Sequence, residues 1–271
     1  TGLGRGDRVA VYLEKRPETL AAMLGAAAAG GVFVPVNPVL RSGQVRYILA
    51  DCNVRVLVTS PDRLNSLAGE LAGCPDLRLV VLVDAERQTA PSVGVPIIPW
   101  HSLLEEDPAR HSAPHRVLDT DMTAILYTSG STGMPKGVVL THRNIVTGAK
   151  SVCSYLNITA ADRILSVLPL SFDYGLNQFV TAFQAGATAV IMNYLLPADV
   201  IRMVVQERIT GLGCVPPLWT QLADLDWPQA AAKSLRYITN TGGKMPKRTL
   251  ERLRAAPVSY THLTLPTNRE V

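Results

Sequence analysis

Hydrophobic residues along the chain alternate between short unbroken runs and stretches in which they recur every three or four positions. The unbroken runs consist mainly of Val, Leu and Ile, which is typical of strands buried on both faces of a parallel sheet. The spaced stretches indicate amphipathic helices. Before residue 85 the pattern predicts strands Arg8–Val11, Val32–Val36, Val56–Thr59 and Leu79–Val83, and helices Glu18–Ala29, Gln44–Cys52 and Arg63–Leu71.

The alternation is interrupted between residues 85 and 118 and resumes after Asp119. Because the interrupting segment is rich in proline, we interpret it as a connector with one short strand, Pro96–Trp100. After it, the predicted strands are Thr123–Thr128, Ile164–Leu168, Thr188–Met192, Gly211–Val215 and Tyr237–Thr241. The predicted helices are Asn144–Tyr155, Leu176–Gln184, Asp199–Glu207, Leu218–Leu225 and Lys247–Ala255.

Strand–helix–strand succession on both sides of the connector predicts the fold class, which is α/β with two consecutive doubly wound sheet layers. We place the boundary near Asp119, so that residues 1–118 form a first subdomain that includes the connector 85–118. Residues 119–256 form the second subdomain. Residues 257–271 match no element of this pattern, and we interpret them as a non-native tail.

The overall composition excludes several classes of protein. Of the 271 residues, 47% are hydrophobic, which is enough for a sizeable core and excludes a disordered chain. The net charge of +4 is small and dispersed, so nucleic acid is not an expected partner. Leu20–Val36 and Tyr174–Ala198 carry no charge, but glycines and polar residues interrupt them. We therefore interpret both as buried helices and strands and predict no membrane span.

Cysteine and histidine give no indication of a metal site. The four cysteines lie far apart without a C-x-x-C pair, so we predict buried thiols in a reducing, cytoplasmic setting. The connector contains His101, His111 and His115. We interpret these three as surface residues, and ligation by them is the alternative.

The segment Ile125–Leu140, ILYTSGSTGMPKGVVL, carries the clearest chemistry. An apolar strand runs into a loop of glycines and hydroxyls, whose backbone N–H groups can converge on an anion. Lys136 adds a point positive charge. The loop follows the carboxyl end of a predicted buried strand, where open α/β sheets bind ligands, and this indicates a polyphosphate site. A flexible Ser/Gly linker is the alternative.

Neither common nucleotide motif describes this loop. A Walker A loop requires Gly before the Lys and Ser or Thr after it, whereas Pro135 precedes Lys136 and Gly137 follows it. The G-x-G-x-x-G fingerprint of dinucleotide folds is also not matched. The loop therefore indicates a different class of phosphate-binding enzyme.

Tyr127–Val138, YTSGSTGMPKGV, resembles the signature loop of the AMP-forming adenylating superfamily. That superfamily includes acyl-CoA synthetases, amino-acid adenylation domains of peptide synthetases, and luciferases. Thr141–Asn144 resembles the family's continuation, Ala28–Pro38 its Gly-turn-strand-Pro segment, and Thr241–Pro246 its Gly-rich turn at the adenine and acyl pocket. The similarity covers roughly Gly6 to Ala256.

The resemblance implies the N-terminal domain of an adenylate-forming enzyme, incomplete at both ends and without its C-terminal domain. It also implies an ATP-dependent acid–thiol ligase of fatty acid metabolism. A carboxylic acid would attack the α-phosphorus of ATP, giving an acyl-adenylate and pyrophosphate, and the thiol of CoA or a carrier protein would then take the acyl group. ATP, Mg²⁺ and CoA are the expected small molecules.

The same resemblance implies the site residues. The implied catalytic residues are Thr132 and Lys136. The implied nucleotide-binding residues are Thr128, Ser129, Gly130, Ser131, Gly133 and Gly137, together with Gly242, Gly243 and Lys244 in the later turn. The implied substrate pocket contains Phe172, Asp173, Tyr174, Pro216 and Pro217. Mg²⁺ would shield the phosphates, and we predict no protein group that ligates it within this chain.

The start of the pocket separates two kinds of ligase. Many acyl-CoA synthetases carry an aromatic-His pair there, whereas amino-acid adenylation domains carry Phe-Asp followed two residues later by Ser. This chain has Phe172-Asp173-Tyr174-Gly175, so the Asp matches and the Ser does not. Asp173 either pairs with a substrate ammonium or stabilises the N-terminus of the next helix, and both interpretations stay open.

The rest of the chain resembles bacterial acyl-CoA ligases, in particular a group associated with exopolysaccharide and exosortase loci. An acyl-CoA ligase is therefore the leading hypothesis. An amino-acid adenylation domain and a catalytically inactive nucleotide- or acyl-binding module are the alternatives. Phe179, Phe183 and Trp219 either line an acyl tunnel or pack in the core, and we favour the core.

The family pattern continues beyond Ala256 with elements that this chain does not contain. They are a Tyr-Gly-x-Thr-Glu turn whose Glu ligates Mg²⁺, an Asp for the ribose, and a mobile domain with a Lys for adenylation. Each such charge contact to a transition state is worth about 2–4 kcal/mol. We therefore expect the 271-residue chain alone to have negligible adenylation activity.

Overall fold

In the computed structural model, the chain folds into two β-sheets with intervening helices. The structure describes residues 3–85, 91–105, 116–129 and 133–255. The chain divides into two compact units, Thr1–Asn144 and Ile145–Val271. Each sheet consists mainly of parallel strands that alternate with helices along the sequence. The predicted α/β fold class with two consecutive sheet layers is thus confirmed.

The first sheet has seven strands in the order β5-β4-β3-β1-β2-β6-β7. Neighbours from β5 to β6 pair in parallel, whereas β7 pairs antiparallel with β6 at the edge. The strands are β1 Arg8–Tyr12, β2 Val32–Pro35, β3 Val54–Thr59, β4 Leu79–Leu82, β5 Ile97–Pro99, β6 Met122–Thr128 and β7 Lys136–Thr141. The central strands are almost entirely buried, which explains their unbroken apolar runs.

Five short helical elements accompany the first sheet: α1 Pro17–Ala28, α2 Ser42–Asp51, α3 Pro61–Leu67, a 3-10 turn Leu71–Gly73 and α4 Trp100–Leu104. Proline begins α1 and α3, where its fixed φ suits the first helical position and no amide donor is required. Ile48, Leu49 and Leu64 from these helices are buried against Ala10, Leu57 and their neighbours in the strands.

The second sheet has four parallel strands in the order β11-β10-β8-β9. They are β8 Arg163–Ser166, β9 Thr188–Ile191, β10 Gly211–Cys214 and β11 Tyr237–Asn240. The helices are α5 His142–Leu156, α6 Asp173–Ala185, α7 Pro197–Gln206, α8 Pro216–Ala223, α9 Gln229–Ser234 and α10 Lys247–Ala255. Leu165, Leu212 and Trp219 are fully buried at the centre of this unit's core.

The structure differs from the prediction at the boundary between the units. We placed it near Asp119, whereas β6 pairs with β2 and β7 pairs with β6, so both strands belong to the first sheet. The sequence analysis did not predict β7, although Val138, Val139 and Leu140 form an apolar run, because we assigned this segment to the loop; its first four residues are exposed. The short helices α4 and α9 were also not predicted.

Other sequence predictions concern burial and the membrane. The two uncharged stretches fold as α1 with β2 and as α6 with β9. In the described ranges, no helix is long and apolar enough to span a membrane. No disulfide links the four cysteines, of which Cys52, Cys74 and Cys214 are buried. His111, His115 and the predicted tail 257–271 lie outside the described residues.

A buried carboxylate organises one end of the second unit. Asp162 accepts hydrogen bonds from the Thr159 amide at 2.8 Å, the Thr210 hydroxyl at 2.7 Å and Arg236 Nη2 at 2.8 Å. Burial alone would raise the pKa of Asp162, but the Arg236 guanidinium and the other donors outweigh it, so the pKa lies below its ordinary value. The charged form is therefore the one that stabilises the fold.

We expect Asp162→Asn to destabilise the second unit by about 3 kcal/mol at pH 7, because Arg236 loses its carboxylate partner. Since the pKa is lower in the folded state, the stabilisation is complete above the unfolded pKa of about 4 and is lost as pH falls through the folded pKa. Urea unfolding at pH 7 and pH 3 measures this. Glu207→Gln, which removes the half-exposed partner of Arg163, is the control and should cost less than about 1 kcal/mol. An equal cost of Asp162→Asn at both pH values would contradict the prediction.

Candidate functional site

The β6–β7 hairpin carries the predicted phosphate loop at its tip. In the antiparallel ladder Thr128 pairs with Lys136, and Tyr127 pairs with Gly137. Thr128 and Lys136 are therefore neighbours at the last rung before the loop. Of the predicted loop residues, Gly130, Ser131 and Thr132 lie outside the described residues.

The described residues of the loop present hydrogen-bond donors and a positive charge to solvent, where an anion can bind them. Thr128, Ser129, Gly133 and Lys136 are all solvent-exposed. Gly133 has a φ of +95°, a backbone conformation that is unfavourable for residues with a Cβ atom. Within the part of the chain that the structure describes, no carboxylate forms an ion pair with Lys136. Two hydroxyls and an uncompensated ammonium next to a glycine turn can bind a polyphosphate.

Gly137 has a steric role in the hairpin. A Cβ at this position would lie 2.7 Å from Ile125 Cγ2 and 3.3 Å from Tyr127 Cζ. The missing side chain therefore makes room for the Tyr127 ring beside β7. The prediction grouped Gly137 with the nucleotide-binding glycines, whereas its described contacts are with the strand β6.

Helix α2 contacts strand β6 and the residue that precedes β7. The Tyr127 hydroxyl donates to Asp51 Oδ2 at 2.5 Å, and the Tyr47 hydroxyl donates to the Pro135 carbonyl at 3.2 Å. Burial, together with the Asp51 carboxylate, raises the pKa of Tyr127, so this phenol remains a donor at neutral pH. Sequence reasoning missed Tyr47 and Asp51, because nothing in a local pattern relates them to a loop more than 70 residues later.

Thr141 and Asn144 fix the start of α5, which follows the hairpin. The Thr141 amide donates to Asn144 Oδ1 at 2.9 Å, and the Asn144 amide donates back to the Thr141 hydroxyl at 3.2 Å. This reciprocal pair satisfies donors that the first turn of a helix leaves without partners. The family-like continuation Thr141–Asn144 therefore acts here as a helix cap.

In the second unit, several predicted pocket and turn residues meet beyond the carboxyl ends of β10 and β11. A Cβ on Gly242, whose φ is +75°, would lie 3.5 Å from Val215 Cγ1 and 3.6 Å from Phe172 Cζ. A Cβ on Gly243 would lie 3.5 Å from Pro216 Cγ. The structure thus brings Phe172, Pro216 and the two glycines together, and Pro217 and Lys244 are exposed in the adjoining chain.

Asp173 is exposed and begins α6. Its carboxylate accepts a hydrogen bond from the Tyr174 amide at 2.7 Å. An acidic side chain in the first helical turn is favourable because the helix N-terminus carries partial positive charge. The described contacts thus correspond to the helix-stabilising interpretation of Asp173.

A small cavity of about 10 Å³ lies in the second unit, next to α6 and β11. This volume is about that of one water molecule. Its polar lining consists of Tyr174, Asn177, Gln178, Thr181, Tyr237 and Thr239. Of the predicted pocket residues, only Tyr174 lines it. The Tyr174 hydroxyl hydrogen-bonds to the Thr239 hydroxyl.

Gln178 is a buried polar side chain of this cavity, and only one of its two polar atoms forms a hydrogen bond. Its Nε2 donates to the Leu165 carbonyl at 3.4 Å. Its Oε1 has no hydrogen-bond partner among the described residues, although Gln178 is only 7% exposed. Buried polar atoms usually have partners, so the Oε1 atom indicates a place where a donor group can bind.

Alternate glycines on β10 make room for this polar lining. A Cβ on Gly213 would lie 2.6 Å from Tyr174 Cε1 and 2.8 Å from Thr239 Oγ1. A Cβ on Gly211 would lie 2.2 Å from the Tyr237 hydroxyl. Glycine inside a strand often marks a close approach, so Gly211-Leu212-Gly213 is the sequence signal that could have located the cavity.

The large aromatic residues of the second unit divide between core and surface. Trp219 is fully buried, and its Nε1 donates to the Thr239 carbonyl at 3.0 Å. Phe179 is also buried, whereas Phe183 is 49% exposed. Core packing therefore accounts for Phe179 and Trp219. Among the residues that the structure describes, no group of His, Cys, Asp and Glu could hold a metal ion.

Comparison with known proteins gives consistent matches. Residues 1–263 match the AMP-binding enzyme family. The long-chain-fatty-acid–CoA ligase FadD13 of Mycobacterium tuberculosis is 28% identical over 91% of this chain and 47% of its own length. The L-proline–L-prolyl-carrier protein ligase of Streptomyces coelicolor is 31% identical over 93% of this chain and 48% of its own length.

A solved structure gives the same picture. The inhibitor-bound N-terminal domain of FACL13 from Mycobacterium tuberculosis superposes with a TM-score of 0.74 at 28% identity, covering 96% of this chain and 62% of that chain. The chain spans less than half the length of the two curated relatives.

Gly175 on α6 provides a test of the packing that supports the pocket. A Cβ here would lie 2.1 Å from the Pro169 carbonyl oxygen, so we expect Gly175→Ala to destabilise the protein by about 2–3 kcal/mol in urea unfolding. Gly25→Ala in α1 is the matched control, because its Cβ meets no atom within 4 Å and Ala should stabilise that helix by about 0.5–1 kcal/mol. Unchanged stability of Gly175→Ala would contradict the close approach.

Proposed function

This chain belongs to the family of AMP-binding enzymes, and we propose that it is the nucleotide-binding part of an AMP-forming acid–thiol ligase. The enzyme would join a carboxylic acid to AMP at the expense of ATP and then transfer the acyl group to the thiol of CoA. The observation that carries this proposal is the exposed Lys136 ammonium beside the Thr128 hydroxyl at the end of the β6–β7 hairpin.

The hairpin loop would hold the β- and γ-phosphates of ATP. A carboxylate that attacks a polyanion needs neutralisation of charge more than it needs a base, and Lys136 supplies that charge. Thr128 and Ser129 would donate hydrogen bonds to phosphate oxygens, and Gly133 would allow close approach of the backbone. By resemblance, Gly130, Ser131 and Thr132 complete this loop. Mg²⁺ would be held through the phosphate oxygens of ATP, which it would shield.

The other binding residues that the resemblance implies lie in the second unit. Gly242, Gly243 and Lys244 would contact the nucleotide, by resemblance to the family's Gly-rich turn. The acid would bind near Phe172, Tyr174, Pro216 and Pro217. The small polar cavity favours an acid that carries a hydroxyl or amino group, because Gln178 Oε1 can accept a hydrogen bond from it.

Two observations favour an acyl-CoA ligase over an amino-acid adenylation domain. A serine at position 175 would collide with the Pro169 carbonyl, so the Phe-Asp-x-Ser pattern has no room here. The Asp173 carboxylate is bound to the amide of its own helix and is exposed. The relationship to an L-proline carrier-protein ligase supports the alternative, in which Asp173 pairs with a substrate ammonium and the acceptor is a carrier-protein thiol.

A catalytically inactive binding module is the third candidate, and the presence or absence of turnover separates it from the ligases. As an acyl-CoA ligase, the protein would act in the cytoplasm and take part in fatty acid metabolism. The relationship to a long-chain-fatty-acid–CoA ligase supports the role in fatty acid metabolism.

Calorimetry with ATP tests the role of Lys136. We expect Lys136→Ala to weaken ATP binding about 10- to 100-fold, because the polyphosphate loses a charge-assisted contact. Lys150→Ala, which removes an exposed lysine of α5, is the matched control and should leave the affinity unchanged. If Lys136→Ala binds ATP as tightly as the control, the loop is not the phosphate site.

Pyrophosphate exchange with a panel of acids tests the reaction. In the full-length protein that carries this chain, we expect exchange that depends on a carboxylic acid and is stronger for a hydroxylated acid than for its unsubstituted counterpart. Gln178→Met should remove that preference, because it keeps the side-chain volume and deletes the acceptor. The 271-residue chain alone should show negligible exchange. Exchange stimulated only by amino acids would favour adenylation for a carrier protein, and no exchange with any acid would favour a binding module.

A further inference from the structure

Two side-chain hydroxyls connect helix α2 to the hairpin, one to strand β6 and one to the residue that precedes β7. Tyr127, the last residue of β6 before Thr128, donates to Asp51 Oδ2 at 2.5 Å. On the other side of the loop, the Pro135 carbonyl accepts from the Tyr47 hydroxyl at 3.2 Å. That hydroxyl also lies 3.4 Å from Asp51 Oδ1. The residues immediately before Thr128 and Lys136 are therefore held by one helix.

Helix α2 is a rigid support for these contacts. Val45, Ile48 and Leu49 on its inner face are between 0% and 2% exposed in the core of the first unit. Its first turn is closed by the Arg41 amide, which donates to Gln44 Oε1 at 3.0 Å. Tyr47 and Asp51 are four residues apart and thus occupy one side of the helix. Asp51 is exposed, and Tyr47 is partly buried against the edge of that core.

The last rung of the hairpin has few other restraints among the described residues. Thr128 and Lys136 form the last rung of the ladder, both are exposed, and strand β7 is an edge strand. The ends of exposed hairpins open at low free-energy cost. A phenol that donates to a carboxylate forms a charge-assisted hydrogen bond, which is stronger than a neutral one. Gly137 lets the Tyr127 ring lie beside β7 and reach Asp51.

We propose that Asp51 and Tyr47 are positioning residues that act through Tyr127 and Pro135 to hold Thr128 and Lys136 where the phosphates of the nucleotide bind. This inference rests on the proposed function, because it assumes that the hairpin loop is the phosphate site. Asp51 and Tyr47 themselves do not contact the nucleotide. Their contribution is to reduce the conformational freedom that the loop would otherwise lose when ATP binds.

The test compares ATP binding by calorimetry with local amide exchange in the same variants. We expect Tyr127→Phe and Asp51→Ala each to raise the dissociation constant for ATP about tenfold. Asp51→Asn should raise it less, because the amide keeps a hydrogen-bond acceptor but loses the charge. Tyr47→Phe should raise it less, because its bonds are longer. The double variant Asp51→Ala/Tyr127→Phe should be no weaker than either single variant, since both remove the same hydrogen bond.

Tyr12→Phe is the matched control. It removes a phenol hydroxyl that donates to the Leu40 carbonyl at 3.1 Å in the same unit, away from the hairpin. We expect it to leave ATP affinity unchanged. In Tyr127→Phe, hydrogen exchange should accelerate at the Lys136 and Gly137 amides, while the melting temperature changes no more than in Tyr12→Phe.

The outcomes separate this inference from the proposed function. If Lys136→Ala leaves ATP affinity unchanged, the proposed phosphate site fails and this inference fails with it. If Lys136→Ala weakens binding but Tyr127→Phe and Asp51→Ala do not, only the positioning role is overturned. It is also overturned if Tyr127→Phe accelerates exchange throughout the first unit, because the residue then supports the fold as a whole.

Discussion

Parallel pairing of buried apolar strands is the constraint on which both units depend. A parallel strand must be followed by a crossover that returns the chain to the same end of the sheet, so all carboxyl ends lie along one edge. In the first unit this constraint brings the end of β6 and its loop to that edge. In the second unit it brings together the segments that follow β8, β10 and β11, with Phe172, Val215, Gly242 and Gly243 in close approach. The polar chemistry of the chain is concentrated where the apolar strands end.

Much of this arrangement could be predicted from the sequence, because buried parallel strands leave a strong local signal. Runs such as Val32–Val36 and Leu79–Val83 have no polar face, and the structure contains a strand at each. The phosphate loop had a local signal as well, in its glycines, hydroxyls and lysine. The role of these residues in binding remains a prediction, and Gly130, Ser131 and Thr132 lie outside the described residues.

The parts that could not be predicted depend on contacts between distant residues. Strand β7 is largely exposed and is defined by its antiparallel pairing with β6, and a short apolar run next to a loop does not by itself show that pairing. The bond between Asp51 and Tyr127 joins residues 76 positions apart, and nothing in the sequence near either residue indicates the other. The cavity in the second unit is an intermediate case. The alternate glycines of β10 can be seen in the sequence, but the sequence does not show which side chains pack against them. A glycine in a strand indicates that something approaches, and only the fold shows that Tyr174 and Tyr237 do so.

The close fit between Gly213 and Tyr174 determines which substitutions the small cavity of the second unit can accommodate. The glycine leaves no volume unused, because the tyrosine ring occupies the space that a side chain on β10 would take. The strand can therefore accept no larger residue without displacing the ring. The helix, in contrast, can give up volume by a single substitution, since a smaller residue in place of Tyr174 would enlarge the cavity and leave the sheet pairing intact. The size of this cavity can thus be changed through α6, whereas β10 does not accommodate larger side chains.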